Sequence, residues 1–244
     1  MKIALIGYGK MGQAIEAIAL ERGHSVVLKI NIDNLADFTK ENISKADVAI
    51  EFTGPESAVH NIMGCFEAHV PVVCGSTGWL KHLPEIEAAC KTNKVGFLYA
   101  SNFSLGVNIF FEVNTLLAKL MAGHKEYNIQ LTEIHHTAKL DAPSGTAISL
   151  AEQILAKNTH KKSWYSITDE AEIDTTDHAL PILSQRTDPA PGTHTILYSS
   201  EIDDIKITHT AHNRKGFALG AVVAAEYMNG KKGMHTMKDV LKLH

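Results

Sequence analysis

Ile3-Ala4-Leu5-Ile6-Gly7-Tyr8-Gly9-Lys10-Met11-Gly12 decides how the first half of this chain is read. Four consecutive aliphatic residues suit a strand buried on both faces, and a GxGxxG pattern follows without a gap. Met11, Ile15, Ile18 and Ala19 then fall on one helical stripe, so the glycines stand where a strand gives way to a helix. In that setting the pattern reads as a pyrophosphate cradle. Its first glycine allows a tight turn and its second lets backbone approach an anion. Its third lets helix and strand pack closely, while the helix N-terminus faces the negative charge. Without a ligand the same residues would be only a tight turn.

Further strand-length apolar runs follow at Ser25-Val26-Val27-Leu28, Val48-Ala49-Ile50, Val70-Pro71-Val72-Val73 and Val95-Gly96-Phe97-Leu98. Helical patterns run from Glu56 to Ala68 and from Leu83 to Lys91. This alternation predicts an α/β fold with a Rossmann-like, doubly wound parallel sheet. The pattern changes after Ser101-Asn102-Phe103-Ser104. A helix is expected from Leu105 to Met121, then a strand with Tyr127, Ile129 and Leu131 in one phase, then a helix from about Ser144 to Lys157. Residues 158–178 are polar and read as a long loop. Strands are expected at Leu180 to Gln185, Thr193 to Tyr198 and Asp204 to Thr210, and helices at Phe217 to Met228 and Met237 to Leu243. The second half is therefore an α+β domain on a mixed or antiparallel sheet. Polar or glycine-bearing crossings at Ser104-Leu105-Gly106 and Asn213-Arg214-Lys215-Gly216 predict a discontinuous arrangement. A dinucleotide-binding domain of residues 1–104 plus 217–244 would enclose a substrate-binding domain of residues 105–216.

With 244 residues, 45% of them hydrophobic, the chain can bury a core without staples. Lysine and arginine total 23 against 27 acids, a net charge of −4, which argues against a broad nucleic-acid surface. No run approaches the ~18 apolar residues of a membrane span, and no signal-peptide pattern is expected at the start. Three cysteines without CxxC spacing suit a reducing cytoplasm rather than a disulfide or zinc framework.

The end of the second strand is where a dinucleotide fold reads the ribose, and Asn31 stands there with Lys29 before it. An asparagine can bond a ribose hydroxyl without repelling a 2′-phosphate. Lys29 either attracts that phosphate or is merely solvated. Use of both NADH and NADPH is the expectation. Phe52-Thr53-Gly54-Pro55 and Gly75-Ser76-Thr77-Gly78 follow two other strands, where ligands of open α/β sheets bind.

The densest chemistry is Glu133-Ile134-His135-His136-Thr137-Ala138-Lys139-Leu140-Asp141-Ala142-Pro143-Ser144-Gly145-Thr146-Ala147. Period-two counting puts His135 in phase with Ile129 and Leu131, and His136 in the opposite phase. Ser144 suits a helix N-cap, and free N–H groups behind it suit a carboxylate. Imidazole and ammonium beside an anion site point to proton transfer on a small anionic substrate. A metal site is the rival reading, but the motif has no HExxH and no cysteine to complete a ligand set.

These residues resemble the 4-hydroxy-tetrahydrodipicolinate reductase (dihydrodipicolinate reductase) family along nearly the whole chain. The run His135-His136-x-x-Lys139-x-Asp141-Ala142-Pro143-Ser144-Gly145-Thr146-Ala147 carries the likeness. The glycine loop, Phe52-Thr53, Gly75 to Gly78 and Ser101 to Asn108 add to it. The resemblance implies NAD(P)H-dependent reduction of 4-hydroxy-tetrahydrodipicolinate to tetrahydrodipicolinate, a step of lysine and diaminopimelate biosynthesis. It implies His135 and Lys139 as catalytic groups and His136, Gly145, Thr146 and Arg214 as substrate contacts. Cofactor contacts would come from the glycine loop, Asn31, Phe52, Thr53, Gly75 to Thr77, and Ala100, Ser101, Asn102 and Phe103. It also implies a homotetramer, with residues 105–216 as the oligomerisation domain, a small dicarboxylate substrate and no metal.

Departures from the family pattern are Gly54 and Lys10, where many members carry arginine, Asn31 in place of an acid, and a rebuilt Arg186-to-His194 turn. These departures bear on cofactor preference more than on the reaction. Two other functions compete. A semialdehyde dehydrogenase needs a nucleophilic cysteine in the second half, and all three cysteines precede residue 91. A dinucleotide-sensing regulator would not need the histidine–lysine cluster.

Overall fold

In a computed structural model the described residues are 1–174, 178–213 and 215–243. Along the chain the elements are β1 (Lys2–Ile6), α1 (Lys10–Glu21), β2 (Ser25–Ile30), α2 (Lys40–Ile43), β3 (Val48–Glu51) and α3 (Ala58–Glu67). Next come β4 (Val72–Cys74), α4 (Leu83–Asn93), β5 (Gly96–Tyr99), α5 (Leu105–Met121), β6 (Asn128–His135) and α6 (Gly145–Leu155). The last are β7 (Ser163–Ile167), β8 (Ala179–Arg186), β9 (Gly192–Ser199), β10 (Asp204–Ala211), α7 (Lys215–Met228), β11 (Gly233–His235) and α8 (Met237–Leu241). The chain divides into two compact units, Met1–Leu105 with Lys215–His244, and Gly106–Arg214.

The first unit is built on a six-stranded sheet in the order β11-β5-β4-β3-β1-β2, with all pairs parallel. A parallel sheet must be covered on both faces, and two apolar clusters do so. One gathers Ile62, Phe66, Trp79 and Phe97; the other joins Ile3, Ile15 and Leu98 to Ala221 and Ala225 of α7. Parallel strands put every C-terminal strand end on one edge, which places the loops after β1, β2, β3, β4 and β5 together.

The second unit carries a five-stranded sheet in the order β10-β9-β6-β8-β7. It is mixed: β6 runs antiparallel to β9 but parallel to β8. Along β6, Ile129, Leu131, Glu133 and His135 are buried while the residues between them are not, which is the expected alternation. Packed over the buried face are Leu150 and Ile154 of α6 and Phe110 and Ala118 of α5.

Three elements depart from the sequence reading, the first being the four-residue α2. The tract of residues 158–178, expected as a loop, contains β7, paired in parallel with β8. Its Trp164, Tyr165 and Ile167 are strand-favouring, but an edge strand with one neighbour shows little apolar alternation. The three-residue β11 was also unforeseen, because its short exposed sequence gains order only by pairing with β5. Among the described residues no helix is long and apolar enough to cross a membrane.

Candidate active site

Gly7 shows why the loop after β1 needs a glycine. Its φ is +96°, and a Cβ there would lie 2.1 Å from the carbonyl oxygen of Phe52. The loop is thereby pressed against the β3 end, with Gly7 and Tyr8 N–H groups donating to the Ile30 carbonyl. Gly9 has open space where a side chain would stand. A cavity of about 760 Å³ is lined by Gly7, Tyr8, Gly9, Asn31, Thr53 and Gly54, among others. Its place at the strand ends, beside the first turn of α1, and its size fit a dinucleotide's phosphates and ribose. Lys10, Met11 and Gly12 belong to α1 itself. Glu56 also lines the cavity, a carboxylate that the β2 end lacks and that the sequence reading missed.

A buried carboxylate, Glu51, ties the loops after β3 and β4 together. It accepts from the Thr53 N–H and hydroxyl and, at 3.2 Å, from the Cys74 thiol. Thr53 N–H also donates to Ser76 Oγ at 2.8 Å. A Cβ on Gly75 would lie 2.2 Å from the Phe52 ring, so any side chain there would have to displace that ring. Phe52 in turn packs on Phe103, ring centroids 5.5 Å apart. Of the expected cofactor contacts outside the glycine loop, Asn31 and Thr53 line the cavity, while Phe52, Gly75, Ser76, Thr77 and the Ala100-to-Phe103 segment do not.

Lys29 is paired within the fold and not merely solvated. Its ammonium pairs with Glu16 at 2.6 Å and lies over the Tyr8 ring, 4.9 Å from the centroid, while the Tyr8 hydroxyl also donates to Glu16. Its charge is answered within the fold. Asn31 is held in its turn, its side-chain oxygen accepting from Asp33 N–H at 2.7 Å.

In the second unit, Glu133 is the hub. It is fully buried and its two oxygens accept from Ser144 N–H at 3.1 Å each, from Ser184 Oγ at 2.9 Å and from Arg186 Nη2 at 3.3 Å. Burial alone would raise its pKa. Interactions with His135, Ser144 and Ser184 outweigh that and hold the carboxyl far below its usual range. His135 Nδ1 lies 3.4 Å from Glu133 Oε2, and His194 Nε2 lies 3.9 Å from it. The two imidazoles meet edge to face, with centroids 5.2 Å apart. His194 Nε2 also contacts Ser144 Oγ at 3.2 Å.

Ser144 caps α6 as expected, accepting from Ala147 N–H at 3.2 Å, and Gly145 and Thr146 begin the helix. Lys139 reaches Asp141 with both carboxylate oxygens at 2.8 Å. Arg186 bonds the backbone carbonyls of Lys139 and Asp141 and so straps this loop to Glu133. His136, on the opposite phase from His135, accepts from Lys139 N–H through its carbonyl oxygen. Arg214 lies outside the described residues. Glu133, His135 and His194 offer ligand atoms within 4.8 Å of one another, yet the carboxylate already answers Arg186 and three further hydrogen bonds. A guanidinium in that place opposes a second cation.

His194 makes the site acid-sensitive. Burial, and then the facing His135, push its pKa from the usual 6.5 down to about 4. The unfolded chain therefore binds more protons between those values, and folding stability falls as pH drops through that window by roughly 3 kcal/mol at most. Thermal unfolding between pH 7 and 4 should show the loss, and His194→Gln should flatten it above pH 5.

A dinucleotide fold with a glycine cradle, joined to an α+β unit bearing a histidine–lysine site, defines a nicotinamide-dependent oxidoreductase. Family models narrow this: residues 1–103 match the dihydrodipicolinate reductase N-terminal model and residues 106–241 the C-terminal model, so the chain belongs to the dihydrodipicolinate reductase family. It is 51% identical to a 4-hydroxy-tetrahydrodipicolinate reductase of Christiangramia forsetii, over 99% of this chain and 98% of that one. A Neisseria gonorrhoeae protein of the same name is 34% identical over 94% and 84% of the two chains. A dipicolinate-bound dihydrodipicolinate reductase from Paenisporosarcina sp. TG-14 shares the fold, with a TM-score of 0.76 at 23% identity, covering 97% of each chain.

Proposed function

We propose that this protein reduces 4-hydroxy-tetrahydrodipicolinate to tetrahydrodipicolinate with NADH or NADPH, in the cytoplasm, as a homotetramer. The observation that carries the reading is the Glu133–His135–Ser144 arrangement, which sets an imidazole beside a capped helix start in a chain of this family. Supporting the substrate class are the names of the relatives and the dipicolinate held by the related structure.

Gly7, Tyr8, Gly9, Asn31 and Thr53 would hold the dinucleotide, and when bound its nicotinamide supplies the hydride. The chain's own residues manage anions and protons. N–H groups of Gly145 and Thr146 at the α6 start bind a substrate carboxylate, helped by Arg214 and His136. Lys139 donates a proton as the hydroxyl leaves as water, and His135 holds or releases the proton that completes the reduction. The test is substrate-dependent oxidation of each cofactor by purified protein. Turnover with both is expected, and none with either would overturn the proposal.

Dual use rests on Asn31, whose neutral amide neither repels a 2′-phosphate nor binds the diol as a carboxylate does. Asn31→Asp should raise the NADH/NADPH ratio of kcat/KM about tenfold or more, since each 1.4 kcal/mol of charge repulsion is a factor of ten. An unchanged ratio would remove Asn31 as the ribose reader and turn attention to Glu56 in the same cavity.

A further inference from the structure

We infer that Glu133 is a positioning residue that fixes the proton-handling imidazole and the substrate-binding helix start as one unit. The inference rests on the reading of His135 and the α6 N-terminus given above. Both ends of the argument are geometric. On one side, Ser144 N–H donates to both carboxylate oxygens at 3.1 Å, so the first residue before α6 is hung from Glu133. On the other, His135 Nδ1 lies 3.4 Å from Oε2 and, among the described residues, is buried with no hydrogen bond to any other group. The contact is long, as such contacts are before substrate binds, and it has only one direction in which to tighten.

The charge on Glu133 is what gives the contact its role. A carboxylate beside Nδ1 favours the tautomer with the proton on that nitrogen and stabilises the imidazolium as it forms. Nε2 is then the nitrogen left to exchange a proton with substrate. Gly192 keeps that nitrogen clear, because a Cβ at residue 192 would stand 3.0 Å from it. The surrounding donors keep the carboxylate from serving as a proton acceptor itself. Ser184 and Arg186 on β8 and Ser144 before α6 hold it ionised. His194, facing His135 from β9, is driven neutral by burial and contributes shape rather than charge. Glu133 thus acts through its neighbours and touches no reacting atom.

Two readouts test this, one of them independent of turnover. Long-range ¹H–¹⁵N spectra of the unliganded protein, assigned with His135→Gln, should show the His135 proton on Nδ1. Glu133→Gln, of nearly the same shape, should move it towards Nε2. Glu133→Gln should also lower kcat by about tenfold to a hundredfold and raise KM for substrate, with NADH affinity unchanged. Glu133→Asp, which keeps the charge, should restore part of the Nδ1 tautomer and of kcat. A wild-type protein with the proton on Nε2 overturns the inference whatever the variants do, including a Glu133→Gln that fails to fold. So does a folded Glu133→Gln with tautomer and kcat unchanged. A wild type without turnover but with the Nδ1 proton would instead overturn the functional reading and leave the positioning of His135 standing.

Discussion

Lys139→Arg is expected to lower kcat by ~10²–10⁴-fold while NADH affinity stays at the wild-type value. Arginine keeps the positive charge and can still pair with Asp141, which now holds the lysine with two bonds of 2.8 Å. It cannot release a proton near neutral pH, so the variant separates charge binding from acid catalysis. Lys139→Ala should lower kcat equally and raise KM as well, having lost both roles. Cofactor binding is spared because the glycine loop belongs to the other unit. Steady-state kinetics with an NADH titration decide the matter. If Lys139→Arg kept most of kcat, the ammonium would be an electrostatic anchor and His135 the leading acid.

Gly7→Ala should cost on the order of 3 kcal/mol of stability and abolish measurable NADH binding. The new methyl would be 2.1 Å from the Phe52 carbonyl oxygen, a main-chain atom that cannot rotate away, and φ of +96° strains any side chain. Either β1 parts from β3 or the cradle opens, and both change the cavity shared by Gly7, Tyr8 and Thr53. Thermal unfolding and fluorescence titration with NADH check the two losses. Gly9→Ala is the control, since nothing lies within 4 Å of its Cβ position, and its Tm should be nearly unchanged.

Local patterns made much of this legible in the sequence. The β1–Gly7–α1 turn, the Ser144 cap and the phase of His135 each depend on residues within one element or one turn, and the structure places them as read. Glu133 shares His135's phase, but its role could not be read there. Ser184 and Arg186, its partners, are 51 and 53 residues away and arrive only when β8 pairs with β6. The same holds for Glu56, delivered to the Asn31 cavity from the loop after β3, and for Lys29, whose partner Glu16 lies on α1. β7 and β11 escaped because edge strands are made by their neighbours more than by their own pattern.

The most direct measurement follows a label from cofactor to product. Substrate generated in situ from pyruvate and aspartate semialdehyde is mixed with the protein and NADH carrying deuterium at the transferred position, and the product is weighed by mass spectrometry. The account predicts tetrahydrodipicolinate bearing one deuterium, with one hydroxyl lost as water for each NADH oxidised. Product without deuterium, or cofactor oxidised with no reduced dicarboxylate formed, would contradict it.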